Sequence, residues 1–345
     1  MSTWFKKNFR AITKTTLVLV YLVILAGALV RMTGSGMGCP DWPKCFGYYI
    51  PPTEESQLLW QAGREFKKGQ VIIHDEALMV AKSDFTTSGT YNPGHWDAYT
   101  RHDYAIFNPM HTWIEYINRL CGALAGMATF LMAIASFAYR RDKPAVTWLS
   151  WLAVFGMGFQ AWLGATVVYS VLAPVKITTH MLVALAIVAL IIYILHLTRN
   201  KETRHPYHRR LTQLIWAALA LTVVQVVLGT QVRQLVDEQV RTVGDAAKNL
   251  WLDNGGWWFY VHRSFSVIVL AVNLWIFAIN RRYGLRYTRV PWILFLLGLE
   301  VLTGIAMSYF DFPFGSQSLH LVIASILFGV QFYLLLDTRH AVKSL

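Results

Sequence analysis

The chain has 345 residues, 55% of them hydrophobic and only 14% charged, and a formal net charge of +12. Its mean hydropathy is +0.39. Because the charges sit in short segments between long apolar runs, this composition excludes a soluble domain and makes the positive charge a matter of membrane topology, not of nucleic-acid binding.

A run of about 18 or more apolar residues is long enough to cross a hydrocarbon core of roughly 30 Å. Eight such runs follow one another near 12–30, 114–138, 146–168, 177–198, 211–231, 257–279, 290–309 and 318–336. The predicted fold is all-α: a polytopic membrane protein whose eight transmembrane helices form two pseudo-symmetric four-helix bundles, 1–210 and 211–345. The first run lacks a small-residue cleavage site and leads into Arg31-Met32-Thr33-Gly34, so it reads as a retained helix. Residues such as Lys6, Arg10, Arg140, Arg141, Arg209, Arg210, Arg281 and Arg282 lie on one side, while the short connections 169–176 and 310–317 hold only Lys176. This bias places both termini in the cytoplasm.

Residues 31–113 form a long outer connection rich in Tyr, Trp, Gly and Pro, a length that points to function or to structure of its own. Within it, 54–82 has room for a short helix and a strand. Residues 232–256 read as an amphipathic segment ending in Asn254-Gly255-Gly256. Of the three cysteines, Cys39 and Cys45 lie in the outer loop, where the compartment permits a disulfide. A structural staple, a redox-active dithiol and two free thiols all remain open, and Cys121 reads as a small packing residue.

The halves repeat. Gly27 to Arg31 matches Gly229 to Arg233; Gln160 and Gly164 match Glu300 and Gly304. Glu115-Tyr116-Ile117-Asn118-Arg119 matches Phe259-Tyr260-Val261-His262-Arg263, and Thr179-His180-Met181-Leu182 matches Leu319-His320-Leu321-Val322. Four helices per half give parallel repeats about an axis near the membrane normal. Asn118, His180, His262 and His320 then lie at one depth, near the outer ends of four helices. Histidines on two facing helices of a bundle can hold a haem iron axially, so His262 and His320 are candidate haem ligands in the C-terminal half. His180 is the candidate iron ligand in the other half, where Asn118 stands in place of a second histidine.

Glu115 is an intramembrane carboxylate one turn before Asn118 and on the same face. It suits proton movement or stabilisation of a cation; the alternative is a salt bridge to Arg119 or Arg31. Its counterpart is Phe259, which assigns chemistry to the N-terminal half and electron storage to the other. Arg119, Arg263 and Arg31 are candidates for haem propionates, with headgroup anchoring as the alternative. His111, two turns before Asn118, is a displaced ligand or an interfacial residue. Glu300 is a polar helix contact. His74, His95 and His102 in the loop and His196, His205, His208 and His340 at the cytoplasmic side read as surface residues.

On Arg31-Met32-Thr33-Gly34-Ser35-Gly36-Met37-Gly38-Cys39-Pro40-Asp41-Trp42-Pro43, on Glu115 to Arg119, and on His180, His262-Arg263 and His320, the chain resembles the heme A synthase family over all eight helices. The resemblance implies an oxidoreductase that turns the C8 methyl of haem O into a formyl group. It implies haem b at His262 and His320, haem O in the N-terminal half, Glu115 as the catalytic carboxylate, and Cys39 with Cys45 as the outer cysteine pair. Many members carry histidine where this chain has Asn118. A neutral amide is a poor iron ligand, so the substrate is expected on His180 alone, or with His111 or a loop histidine as sixth ligand. Haem O synthase, the terminal-oxidase assembly pathway and membrane lipid are the expected partners in a bacterial inner membrane, with a homo-oligomer left open and no nucleic acid. The rival classes are a non-catalytic b-type cytochrome between quinol and an outer acceptor, and a transporter with parallel repeats.

Overall fold

The structure, a computed structural model, describes residues 2–199, 206–253 and 256–339. His205, His340, Asn254 and Gly255 lie outside the described residues. The helices are α1 (Ser2–Met32), α2 (Pro109–Ser136), α3 (Pro144–Tyr169), α4 (Pro174–Leu197), α5 (Arg209–Val243), α6 (Gly256–Arg282), α7 (Arg289–Tyr309) and α8 (Ser316–Arg339). Among the described residues, these 8 are long and apolar enough to cross a membrane. Proline opens α2, α3 and α4, where its missing N–H costs nothing. The Asn108 side chain caps α2 by accepting from the His111 N–H at 3.2 Å.

α5 runs well past its apolar stretch to Val243 and ends at Gly244, whose φ of 87° few other residues adopt. Residues 232–243, the first part of the amphipathic segment expected over 232–256, are therefore a helical extension beyond the apolar run.

Sequential helices pack in pairs, α1 on α2, α3 on α4, α5 on α6 and α7 on α8. Within each half the first helix also meets the fourth, α1 on α4 and α5 on α8. Between halves, α1 meets α8, α4 meets α5 and α4 meets α8. One apolar core draws on α5 to α8 and takes in Leu185 of α4. The other draws on α1 to α4 and takes in Leu336 of α8.

The long connection between α1 and α2 contains the short helix expected within 54–82, a single 3-10 turn at Glu55–Leu58, and more strand than expected. It carries five short strands: β1 (Glu65–Phe66), β2 (Val71–His74), β3 (Ala77–Ala81), β4 (Phe85–Thr86) and β5 (Trp96–Ala98). β1 pairs with β4, and β2, β3 and β5 form an antiparallel sheet in that order. Asp75 and Glu76 turn the β2–β3 hairpin with positive φ of 49° and 60°, the conformation a two-residue hairpin turn requires. Phe66, Ile72, Ala81 and Trp96 make a small core of their own.

His196 is not a surface residue. It is buried, with Nδ1 3.9 Å from Asp337, whose other neighbours are Arg199 at 2.9 Å and Arg289. His102 is drawn inward as well, with Nε2 3.0 Å from the Pro40 carbonyl. His208 caps α5 by accepting from the Leu211 N–H at 3.2 Å.

Candidate functional site

Glu115 sits in the second turn of α2 and is only 4% exposed. Its Oε2 accepts from the Cys39 backbone N–H at 2.8 Å, and its Oε1 accepts from Arg119 Nη2 at 2.6 Å. The salt bridge to Arg119 is therefore formed, and Arg31 takes no part in it.

Arg119 does more than pair with the carboxylate. Nη1 donates to the carbonyls of Asp41 and Lys44, each at 2.7 Å, and Nη2 donates to that of Cys39 at 3.2 Å. A planar fork with several fixed donors can serve acceptors spread along a folded loop in a way an ammonium cannot. The loop is bound to α2 at a second point, since Thr112 Oγ1 donates to the Gly38 carbonyl at 2.7 Å. Cys39 and Cys45 are joined in a disulfide, with Cα atoms 4.8 Å apart. Asp41 closes the loop from inside, accepting from the Phe46 N–H at 2.5 Å and the Gly47 N–H at 2.8 Å. Burial pushes the Asp41 carboxyl above its ordinary value, against the pull of those amides and of Arg119. Residues 38–47 thus form a rigid cover over Glu115.

The four positions singled out by the repeat share one local device. Each side chain faces a glycine on the preceding helix of its half. A Cβ on Gly27 of α1 would lie 3.8 Å from Asn118 Oδ1, and one on Gly164 of α3 would lie 3.7 Å from His180 Cε1. A Cβ on Gly229 of α5 would lie 3.2 Å from His262 Cε1, and one on Gly304 of α7 would lie 4.0 Å from His320 Cε1. The glycines marked the repeat in the sequence; the structure shows why they stand there, as room for a planar side chain next to a helix backbone.

Several polar atoms here are buried with no hydrogen-bond partner among the described residues: Asn118 Oδ1, His180 Nδ1 and His262 Nδ1. Buried orphans of this kind call for an explanation, an unplaced ligand being one. The rings of His262 and His320 lie with centroids 6.3 Å apart and planes inclined at 69°. Two imidazoles on opposite sides of one metal ion, each with a nitrogen about 2 Å away, have centroids about 6 Å apart. Among the described residues no group of three or more His, Cys, Asp or Glu gathers to hold a bare ion. A haem brings four nitrogens of its own, so a pair of histidines such as His262 and His320 is a donor set that fits one.

Other candidates lie elsewhere. Arg31 reaches across to the C-terminal half and pairs with Asp237 at 3.0 Å. Arg233, its repeat counterpart, binds the same carboxylate at 2.7 Å and donates to the Arg31 carbonyl at 2.8 Å. Arg263 is exposed and rests over the rings of Phe259 and Tyr260, 5.7 Å and 5.6 Å from their centroids. His111 stands in the first turn of α2 with its carbonyl against Gly38.

Gln160 and Glu300 stand out in the sequence only as matched polar positions of the repeat, and Gln225 and Thr303 carry no signal there. Gln160 donates to the His180 carbonyl and Gln225 to the His262 carbonyl, each at 3.0 Å. Thr303 and Glu300 both reach His320. A polar residue on the neighbouring helix of a ligand-bearing pair is the one hint that finds them.

The model of the COX15-CtaA family, described as cytochrome oxidase assembly protein, matches residues 10–86 and 97–332. Heme A synthase of Shewanella oneidensis is 25% identical over 243 residues, covering 70% of this chain and 62% of that protein. Heme A synthase of Paracoccus denitrificans is 25% identical over 86% of this chain and 79% of its own length. That of a Wolbachia pipientis strain is 23% identical over 94% of this chain and 96% of its own.

Proposed function

Since the chain belongs to the COX15-CtaA family of cytochrome oxidase assembly proteins, we propose that it is an oxidoreductase converting haem O to haem A, by oxidation of the C8 methyl to a formyl group. The observation that supports this most directly is the buried Glu115, fixed by Cys39 and Arg119 in the half that lacks a second histidine. The names of the relatives, heme A synthase in each case, point the same way.

The substrate enters the N-terminal bundle from the lipid, its iron bound by His180. Gly164 leaves room for that ring, and Gln160 holds the backbone that carries it. Glu115 stabilises positive charge developing at the methyl carbon or takes its proton. Such stabilisation is strong where water is excluded and the charge is already held in place. The cover formed by residues 38–47 supplies both conditions. With water as the oxygen donor, each of two successive oxidations takes up one water, leaves one hydroxyl on the methyl carbon and releases two electrons and two protons. The geminal diol so formed loses water to leave the aldehyde, and the four electrons pass to an external acceptor. His262 and His320 would hold a haem b, which when bound would supply one-electron redox chemistry beside the substrate half. Arg119, committed to the loop, orients Glu115; Arg263, exposed over two rings, is the better placed of the two for a propionate.

Both termini face the cytoplasm of a bacterial inner membrane in this reading, with haem O synthase upstream and terminal-oxidase assembly downstream. Asn118 is the observation that favours the rival, a b-type electron carrier that has lost its substrate site. Co-expression with a haem O source, followed by haem extraction and chromatography, separates the two. Haem A from the wild type and haem O alone from Glu115→Ala support the synthase. Haem b with untouched haem O from both proteins would leave the electron carrier.

A further inference from the structure

We propose that Glu300 and Thr303 of α7 are positioning residues that fix the tautomer of His320 and make the C-terminal haem the tightly held, lower-potential one. The inference rests on the haem b reading above.

Thr303 Oγ1 lies 2.9 Å from the Leu299 carbonyl and 3.0 Å from the Glu300 carbonyl. A helical threonine gives its only hydrogen to such a carbonyl, so toward any other partner the oxygen accepts. That other partner is His320 Nδ1, 2.8 Å away. Glu300 Oε2 lies 3.0 Å from the same nitrogen. Nδ1 therefore carries the ring proton and directs it to two oxygens on one helix, and Nε2 keeps the lone pair that a metal needs.

Neither of the other two histidines has this support. Nδ1 of His180 and of His262 meets no partner among the described residues. In the N-terminal half the place of Glu300 is taken by Gln160, whose amide turns to the His180 carbonyl, and the place of Thr303 by the apolar Leu163. The repeat has thus kept the ligand and dropped its support in one half only.

An imidazole whose second nitrogen donates to a carboxyl or hydroxyl is held at one ring angle and is a more basic ligand; losing such a partner typically costs about 10–100-fold in metal affinity. A more basic axial ligand favours ferric over ferrous iron, so the pair lowers the midpoint potential. The asymmetry matches the traffic each site must carry. A resident haem benefits from retention, whereas a substrate bound by His180 has to leave after oxidation.

The test uses the full chain purified with its haem, as wild type, Glu300→Leu, Glu300→Gln and Thr303→Val. Three quantities are read: the low-spin spectrum, the midpoint potential of the low-spin haem, and the rate at which that haem is lost to apomyoglobin. In Glu300→Leu and Thr303→Val the loss rate is expected to rise by about 10–100-fold and the midpoint to move upward. Glu300→Gln keeps an accepting oxygen and is expected to fall between. If Glu300→Leu does not fold, the near-isosteric Thr303→Val carries the test. Wild-type loss rates and midpoints in folded Glu300→Gln and Thr303→Val overturn the inference while leaving the haem b reading in place. A wild-type protein with no low-spin haem overturns that reading, and the inference with it.

Discussion

Gly38 lies so close to the start of α2 that a Cβ on it would sit 2.4 Å from the His111 carbonyl oxygen. No backbone atom gives way by that much without moving the chain around it. The adjacent residue, Cys39, supplies the N–H that Glu115 Oε2 accepts. Gly38→Ala is therefore expected to lift the loop from the helix and release the carboxylate. A misplacement of about 1 Å near reacting groups can cost 10²-fold. Haem A yield should fall by about that factor while the low-spin haem of the C-terminal half stays at wild-type content. Normal yield would mean that the cover does not position Glu115.

Arg119→Lys keeps the charge and loses the fork. A single ammonium cannot reach the Asp41, Lys44 and Cys39 carbonyls as well as Glu115. Limited proteolysis of membranes should show faster cleavage within 38–47, and haem A yield should drop about tenfold or more. Each buried carbonyl left without a donor costs about 1–3 kcal/mol, which is enough to loosen a short loop.

The glycines facing the four ligand positions differ in clearance, and the difference is testable. Gly229→Ala would place a Cβ 3.2 Å from His262 Cε1, tighter than most contacts, whereas Gly27→Ala would meet Asn118 Oδ1 at an ordinary 3.8 Å. Overpacking of this kind costs about 1–3 kcal/mol. Gly229→Ala should lower low-spin haem content in the purified protein, and Gly27→Ala should leave it unchanged. Equal behaviour of the two variants would show that these glycines do not make room for rings.

Asn118→His gives the N-terminal half the counterpart of His262. With His180 opposite, the substrate haem is expected to become low-spin and to stop binding carbon monoxide. In the wild type the N-terminal haem, bound by one histidine, is expected to be high-spin and to bind carbon monoxide. An identical spectrum for both proteins would mean that a histidine elsewhere, such as His111, already fills the sixth position.

The helices could be read from hydropathy because a bilayer demands long apolar runs, and eight of them stand out against a charge content of 14%. The shared placement of Asn118, His180, His262 and His320, each facing a glycine, was legible because the repeat puts them in register. A single strand within 54–82 was legible; the five-strand arrangement was not, since segments as short as Glu65–Phe66 and Phe85–Thr86 carry too few residues for an alternating pattern. Nor were the partners of Arg119, because backbone carbonyls leave no mark in a sequence. Glu300 was visible as a buried polar residue, yet only the crossing of α7 with α8 brings it to His320. Arg31 stands in the sequence as a propionate candidate or a partner of Glu115; its pairing with Asp237 depends on the α5 extension, which lies outside the apolar run.

Leu185 belongs to the first half of the chain but packs in the core of the second, and Leu336 does the reverse. Each bundle thus completes its core with a side chain of the other. If a gene of this kind were split between Leu197 and Arg209, each product would be left with an open seam. The two would persist only as an obligate heterodimer, so the linker's service is to guarantee one-to-one supply of parts that already need each other.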